Sequence, residues 1–349
     1  MRKSLKDISW DVSEETYRED PALSYSTLAR YEREGFNNLS KLFDKVETPS
    51  LTFGSAVDSI ITGGQEEFDD RFIVVDLPTD LSDTLITVAK TLFDKYNSLY
   101  TNIDEIPEDI LSEVGKECDY YAGDKYRATR IKHIKEKCAE YYHMLYIANG
   151  KTILNTDTYN DVCNTVNVLK SSASTSFYFA VDNPFDDIER CYQLKFKGTF
   201  NGIDYRNMAD LIVVNHSEKW VLPIDLKTSG KPEWDFHKSF NEWRYDIQAR
   251  LYWSIIRQNM DKDDYFKDFK LLDYKFIVAN RRTLTPLVWE CPFTQAVGTL
   301  TFGKNNQISY RHPFEIGEEL SHYLSSGAVV PIGIEITESN NITTWLNKL

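Results

Sequence analysis

Residues 198–230 read GTFNGIDYRNMADLIVVNHSEKWVLPIDLKTSG, and residues 240–258 read FNEWRYDIQARLYWSIIRQ. Two apolar runs, MADLIVV (208–214) and WVLPIDL (220–226), flank the polar stretch NHSEK (215–219). Apolar and β-branched residues on either side of a polar loop predict a β-hairpin. In an antiparallel pair, partner numbers sum to a constant. A turn centred near Ser217 therefore sets Asp210 about opposite Ile224 or Asp225. Residues two apart share a strand face, so Asp225 and Lys227 point the same way.

Like charges facing each other across strands destabilise a sheet. Two carboxylates here call for a cation, and oxygen ligands suit Mg²⁺ or Mn²⁺. Lys227 offsets part of the charge and is placed to polarise a water or stabilise a developing oxyanion. Such a set is the equipment for phosphodiester hydrolysis. The opposing reading is a surface hairpin with solvated charges. Against it, Asp210 and Asp225 lie inside the apolar runs. Downstream, Gln248 and Tyr252 stand four apart, on one face of a helix.

Four pieces in order then give a resemblance: GSAVD (Gly54–Asp58), Asp210, Asp225-Leu226-Lys227 and Gln248…Tyr252. Together they resemble the PD-(D/E)xK nuclease superfamily, in its RecE and RecB-like phage-type exonuclease branch. The family-like material covers roughly residues 20–260. The resemblance implies an α+β fold, with a mixed central sheet flanked by helices and a large helical insertion. It implies Mg²⁺ (Mn²⁺ as an alternative) held by Asp58, Asp210, Asp225 and the Leu226 carbonyl, with Asp210, Asp225 and Lys227 catalytic. Gln248 and Tyr252 would orient the scissile phosphate or brace the ligands. Thr228, Ser229, Arg244 and Arg250 would support the site or hold phosphates. The family usually has His where this chain has Asp58, which puts the metal arrangement in question.

The resemblance further implies digestion of linear double-stranded DNA from its ends, in the 5′ direction, for phage recombination or repair. A single-strand annealing recombinase would be the partner, and a ring-shaped homo-oligomer the assembly. Two rivals stand beside this reading. One is an endonuclease of the same fold, either restriction or structure-specific. The other is a DNA-binding protein with a degenerate site, motivated by Asp58 and by the net charge of −14. DNA-binding domains ordinarily carry a basic footprint. From Glu189 to Arg257, eleven Lys and Arg oppose nine Asp and Glu, a local balance of +2.

The 349 residues, 42% hydrophobic, suit a soluble globular chain. We read one nuclease domain: N-terminal helices with GSAVD (1–75), a helical insertion (76–176), the catalytic sheet with its Gln–Tyr helix (177–260), and C-terminal strands and helices (261–349). No apolar run reaches the ~18 residues of a membrane span, and MRKSLKDISWD has no signal-peptide core. The expectation is a cytoplasmic protein (the bacterial host's cytoplasm if phage-encoded) with no membrane partner. Five scattered cysteines without a C-x-x-C pair predict reduced thiols and no iron–sulfur cluster.

Elsewhere, LSYSTLARYEREGF (23–36) predicts a helix capped at Ser24 or Ser26. GSAVD predicts a helix start, with Asp58 on its first turns. GKTILNTDTYNDVCNTVNVLKSS (150–172) suggests a β-turn followed by a helix capped at Thr156 or Asp157. IERCYQLKFKGTF (188–200) predicts a strand with a turn at its Gly. Glu189 reads as structural, and Lys195, Lys197 and Arg206 as phosphate candidates or solvated strand residues. Trp234, Phe236, Phe240 and Trp243 could stack bases, with core packing the expected use for most of them. FEIGEELSHYLSSG (314–327) and NNITTWLNKL (340–349) predict late helices.

Overall fold

The structure is a computed structural model. It describes residues 2–326 apart from 36–38, 40, 45, 47, 77–80, 184–185 and 303–307. The expected helix at 340–349 lies outside the described residues. In chain order the elements are α1 (Glu14–Glu19), α2 (Tyr25–Glu34), α3 (Pro49–Thr62), α4 (Gly64–Arg71), β1 (Phe72–Val74), α5 (Asp83–Tyr96), α6 (Glu108–Glu117), α7 (Arg127–Ala148), β2 (Thr152–Leu154) and α8 (Thr156–Ser171). There follow β3 (Ile188–Phe200), β4 (Ile203–Asn215), β5 (Trp220–Ser229), α9 (Phe236–Glu242), α10 (Tyr245–Asp261), β6 (Lys270–Leu271), β7 (Lys275–Asn280), β8 (Pro286–Glu290), β9 (Leu300–Phe302), β10 (Ile308–Tyr310) and α11 (Pro313–Ser326). The chain divides into two compact units, Ser55–Val166 and the remainder.

The larger unit is built on one mixed sheet in the order β3-β4-β5-β7-β8, with β6 also paired to β5. The β3–β4, β4–β5 and β7–β8 pairs are antiparallel, while β5 runs parallel to β6 and β7. This is the expected α+β arrangement. A parallel neighbour requires a crossover, and α9 and α10 supply it between β5 and β7. The buried face of α10 (Ile247, Leu251, Ile255, Ile256) packs with Cys191, Leu194, Phe196, Ala209 and Ile212 of the sheet. Each such side chain contributes about 1.5–3 kcal/mol on burial.

The expected strand over 188–200 is β3, but its glycine makes no turn. Gly198 lies inside the strand, where an added Cβ would meet the Gln258 side chain at 2.9 Å. It is the bare backbone against which α10 rests. The turn comes at Asn201-Gly202, both at positive φ (52° and 78°). That pair gives the two-residue hairpin turn matching strand twist. Ser24 caps α2 by accepting from the Thr27 amide, as expected. The α8 cap is Asn155, whose Oδ1 accepts from Thr158 N at 2.8 Å, rather than Thr156 or Asp157. The expected helix over 314–327 is α11.

The smaller unit packs α5, α6 and α7 around Leu85, Val88, Leu92, Leu111, Val114, Ile134 and Tyr142. Its two-stranded sheet pairs β1 and β2 in parallel. Arg130 is buried there and donates to Ser112 Oγ at 2.6 Å. No helix among the described residues is long and apolar enough to cross a membrane. All five cysteines are free thiols.

Gly317 on α11 offers a test of the packing. A Cβ there would fall 2.1 Å from the hydroxyl oxygen of buried Tyr205. Gly317→Ala gains up to about 1 kcal/mol of helix propensity but overpacks the site by roughly 1–3 kcal/mol. With the full propensity gain, the expected net is a loss of about 0–2 kcal/mol in urea unfolding. Tyr205→Phe removes a buried hydroxyl without a hydrogen-bond partner and should cost little. The double variant should recover part of the loss. A Gly317→Ala protein more stable than wild type would refute this packing.

Candidate active site

The β4–β5 ladder runs from Asn215↔Trp220 to Leu211↔Ile224. Asn215 Oδ1 closes the turn by accepting from Ser217 Oγ and Glu218 N, both at 2.9 Å. One step beyond the last pair, the register sets Asp210 opposite Asp225, one of the two positions the number sum allowed. There the strands part. β4 continues along β3, from Leu194↔Ala209 to Phe200↔Ile203. β5 continues along β7, from Ile224↔Lys275 to Ser229↔Asn280. In the resulting fork, Asp210 Oδ2 accepts from Leu226 N at 2.9 Å. The carboxylate serves an amide that β4 itself no longer reaches.

The fork coincides with a second irregularity. Core-facing residues on a regular strand are two apart. Here Cys191 and Leu194 both join the core, as do Ala209 and Ile212. Each pair is three apart. The register of Tyr192↔Leu211 and Leu194↔Ala209 brackets Gln193 and Asp210 at this fault. Gln193 takes φ +51°, a conformation uncommon for a non-glycine residue. Sequence reading missed Gln193, because nothing in its identity signals positive φ.

Asp225 is 1% exposed. Gln248 Nε2 on α10 donates to its Oδ1, and Lys227 Nζ lies 2.5 Å from its Oδ2 as a close ion pair. The ammonium also faces the Tyr245 ring at 4.8 Å. Burial opposes the charge on Lys227, but attraction to Asp225, Tyr245 and Asp210 outweighs it and holds its pKa above the ordinary lysine value. Lys227 is therefore a cation, suited to donating a hydrogen bond and not to taking a proton. Tyr25, Tyr252 and Tyr274 surround the acids. Burial is the main force raising all three phenols well above their usual range, and the Asp225 charge adds to it. Of these, the sequence reading had singled out only Tyr252.

The donor set has a specific gap. Gln248 Oε1 is buried without a hydrogen-bond donor, and Asp225 Oδ2 faces the Lys227 ammonium alone. A bare amide oxygen beside two carboxylates suits a hard divalent cation. Among the described residues no group of three His, Cys, Asp or Glu forms a cage. Mg²⁺ does not need one, since it keeps several waters and is held through one or two carboxylates plus substrate phosphates.

Other expected residues fall as follows. Arg250 is fully buried, with its guanidinium on the carbonyls of Ala296, Gly298 and Tyr310. Two residues beyond Gln248 is about 200° around the helix, so it points away from the acids and is not available to a phosphate here. Arg244 is held by Asp246 at 2.9 Å and by Glu32. Both arginines serve the fold in this conformation. Ser229 Oγ accepts from Lys231 N at 3.0 Å. Thr228 Oγ1 lies 3.2 Å from where a Gly54 Cβ would be, so Gly54 permits the close approach anticipated for it. Yet the helix does not start at GSAVD. It starts at Pro49, whose fixed φ favours a first helical position. Asp58 is thus deep in α3, not on its first turns, and is half-buried in the smaller unit. Glu189 is structural, bonded to Ser4, Cys191 and His216.

Removing the cation from Asp225 should expose how much this pair stabilises. Lys227→Met leaves a buried carboxylate uncompensated, at a cost of about 3 kcal/mol. Urea unfolding in EDTA should show that loss, and Asp225→Asn/Lys227→Met should restore most of it. An unchanged midpoint for Lys227→Met would refute the pairing.

No protein-family model matches the chain, and no curated protein matches it. Among solved structures, it is similar to a protein from Eubacterium rectale provisionally named an exonuclease, crystallised at 2.19 Å resolution. The TM-score is 0.41 at 13% identity, covering 97% of this chain and 100% of that one.

Proposed function

We propose that the chain is a metal-dependent deoxyribonuclease that hydrolyses linear double-stranded DNA from its ends. One observation carries the reading: the fork between β4 and β5 sets Asp210 beside Asp225, with Lys227 and Gln248 on Asp225. Asp210, Asp225 and the Gln248 amide oxygen would hold Mg²⁺ or Mn²⁺. Bound there, the ion would lower the pKa of a water and neutralise charge on the phosphoryl oxygens. Lys227 would donate a hydrogen bond to the attacking water or to a non-bridging oxygen. The water oxygen bonds phosphorus, the P–O bond to the leaving nucleotide breaks, and the water's proton ends on the leaving oxygen. Asp58 would be a further ligand in the position the family gives to His. Digestion from 5′ ends, a strand-annealing partner, a ring-shaped oligomer and the cytoplasmic setting belong to the same proposal.

The deciding experiment compares linear duplex with covalently closed circular DNA, in Mg²⁺ or EDTA, for wild type and Asp225→Ala. Loss of the linear substrate alone, with metal and wild type alone, is expected; end labels then report polarity. Cleavage of the circle would replace the exonuclease with an endonuclease of the same site. Inert DNA under both Mg²⁺ and Mn²⁺ would refute hydrolysis.

Metal binding has a readout apart from activity. Mg²⁺ should raise the unfolding midpoint of wild type by mass action and leave that of Asp225→Ala unmoved. Asp58→Ala should shift the metal concentration needed for cleavage, and Asp58→His should retain activity. An unchanged metal response in Asp58→Ala would remove it from the ligand set.

A further inference from the structure

The aromatics that follow β5 separate into two classes. Phe236 and Phe240 are core residues, 2% and 3% exposed. Trp234 and Trp243 are exposed, at 73% and 44%. The Trp243 indole, at the end of α9 with close to half its surface in water, is not a core residue, and its position ties it to the acids. Two residues on, Tyr245 begins α10 and lies against the Lys227 ammonium. The Trp243 carbonyl accepts from Tyr25 OH at 2.7 Å, and Tyr25 is one of the phenols on which the Asp225 charge acts. The Trp243 backbone is thus fixed through both neighbours of the acid site while its ring faces solvent. An exposed cation, Arg33 of α2, stands over that ring at 4.9 Å.

We propose that Trp243, with Arg33, is a stacking platform for an unpaired nucleotide next to the bond being cut. The inference rests on the nuclease reading and names the substrate form it prefers: an end whose strand is already single or frayed. Both chemistries match. A tryptophan face stacks any base, so the contact tolerates sequence. The Arg33 guanidinium can either stack with the base or hold its phosphate as a forked donor. A duplex end with paired bases keeps its π-faces inside its own stack and gains little from the ring.

The test measures binding without cleavage. Fluorescence anisotropy in EDTA would follow a labelled blunt duplex, the same duplex with a single-stranded overhang, and a single strand alone. Wild type should bind the overhang and the single strand more tightly than the blunt duplex. Trp243→Ala should weaken binding to both unpaired forms by about tenfold, within the range of one lost stacking contact, and leave blunt binding nearly unchanged. Trp243→Tyr should restore most of the loss, since a phenol ring still stacks. Arg33→Gln should reduce the salt dependence of binding by about one ion. Leu324→Ala, an exposed apolar residue on α11, controls for general loss of apolar surface and should match wild type.

Equal affinity of Trp243→Ala and wild type for the overhang would overturn the platform, as would failure of wild type to bind any unpaired form. Trp243 is exposed, so its variants should fold, and an unchanged urea midpoint checks this. The two proposals fail separately. Binding that needs Trp243, with no cleavage under Mg²⁺ or Mn²⁺, keeps the platform and refutes the nuclease. Cleavage of overhang substrates at wild-type rate and affinity in Trp243→Ala keeps the nuclease and refutes the platform.

Discussion

Asp225 is a carboxylate with almost no access to water, and the larger unit is arranged around neutralising it. A buried charge is tolerated only when paired and hydrogen-bonded. Lys227 supplies the charge from the same face of the same strand, and Gln248 supplies a donor from α10. The second acid, Asp210, is satisfied differently: it takes the Leu226 amide where β4 turns away from β5. The fork therefore does two things at once. It opens room between two strands, and it gives an otherwise orphaned amide a carboxylate partner.

Holding Gln248 on Asp225 requires α10 to dock in one rotation. Its apolar residues meet β3 and β4, and its polar residues divide by angle. Gln248 and Tyr252 face the acids. Asp246 and Arg250 face away, Asp246 into a network of charges and Arg250 onto backbone carbonyls. Arg244 joins Asp246 and Glu32, and Glu32 in turn receives Arg311, which also binds Glu319 on α11. These ions link α2, α10 and α11, and they lock the helix that positions the site. Cations near the sheet are thus largely engaged in the fold. Their number alone gives a poor measure of how a polyanion would be met.

Much of this was legible in the chain. The hairpin over 208–226, the placing of Asp210 about opposite Ile224 or Asp225 and the shared face of Asp225 and Lys227 follow from a two-residue period and a constant number sum. The four-residue spacing of Gln248 and Tyr252 follows from the helical period. Arg244 and Arg250 read as site support or phosphate contacts, and the sequence could not choose between these because proximity in the chain says nothing of helix rotation. That rotation is fixed only when the apolar stripe finds its partner. The start of α3 was misplaced because the small residues at Gly54–Ala56 signal close packing, and a helix interior can need that as much as a helix start.

By itself, then, the sequence determined the elements and the facing of acids on one hairpin, since these depend on local periodicity and on pairing between neighbours in the chain. The tertiary structure alone decided the rest. The parting of β4 from β5 depends on β4 staying with β3 while β5 stays with β7 on its other edge. The fault at Gln193 and Asp210 depends on two strands bending together. The burial of Phe236 and Phe240 beside an exposed Trp243 depends on where α9 ends against the core. Each is a contest between segments far apart in the chain, and no single segment carries its outcome.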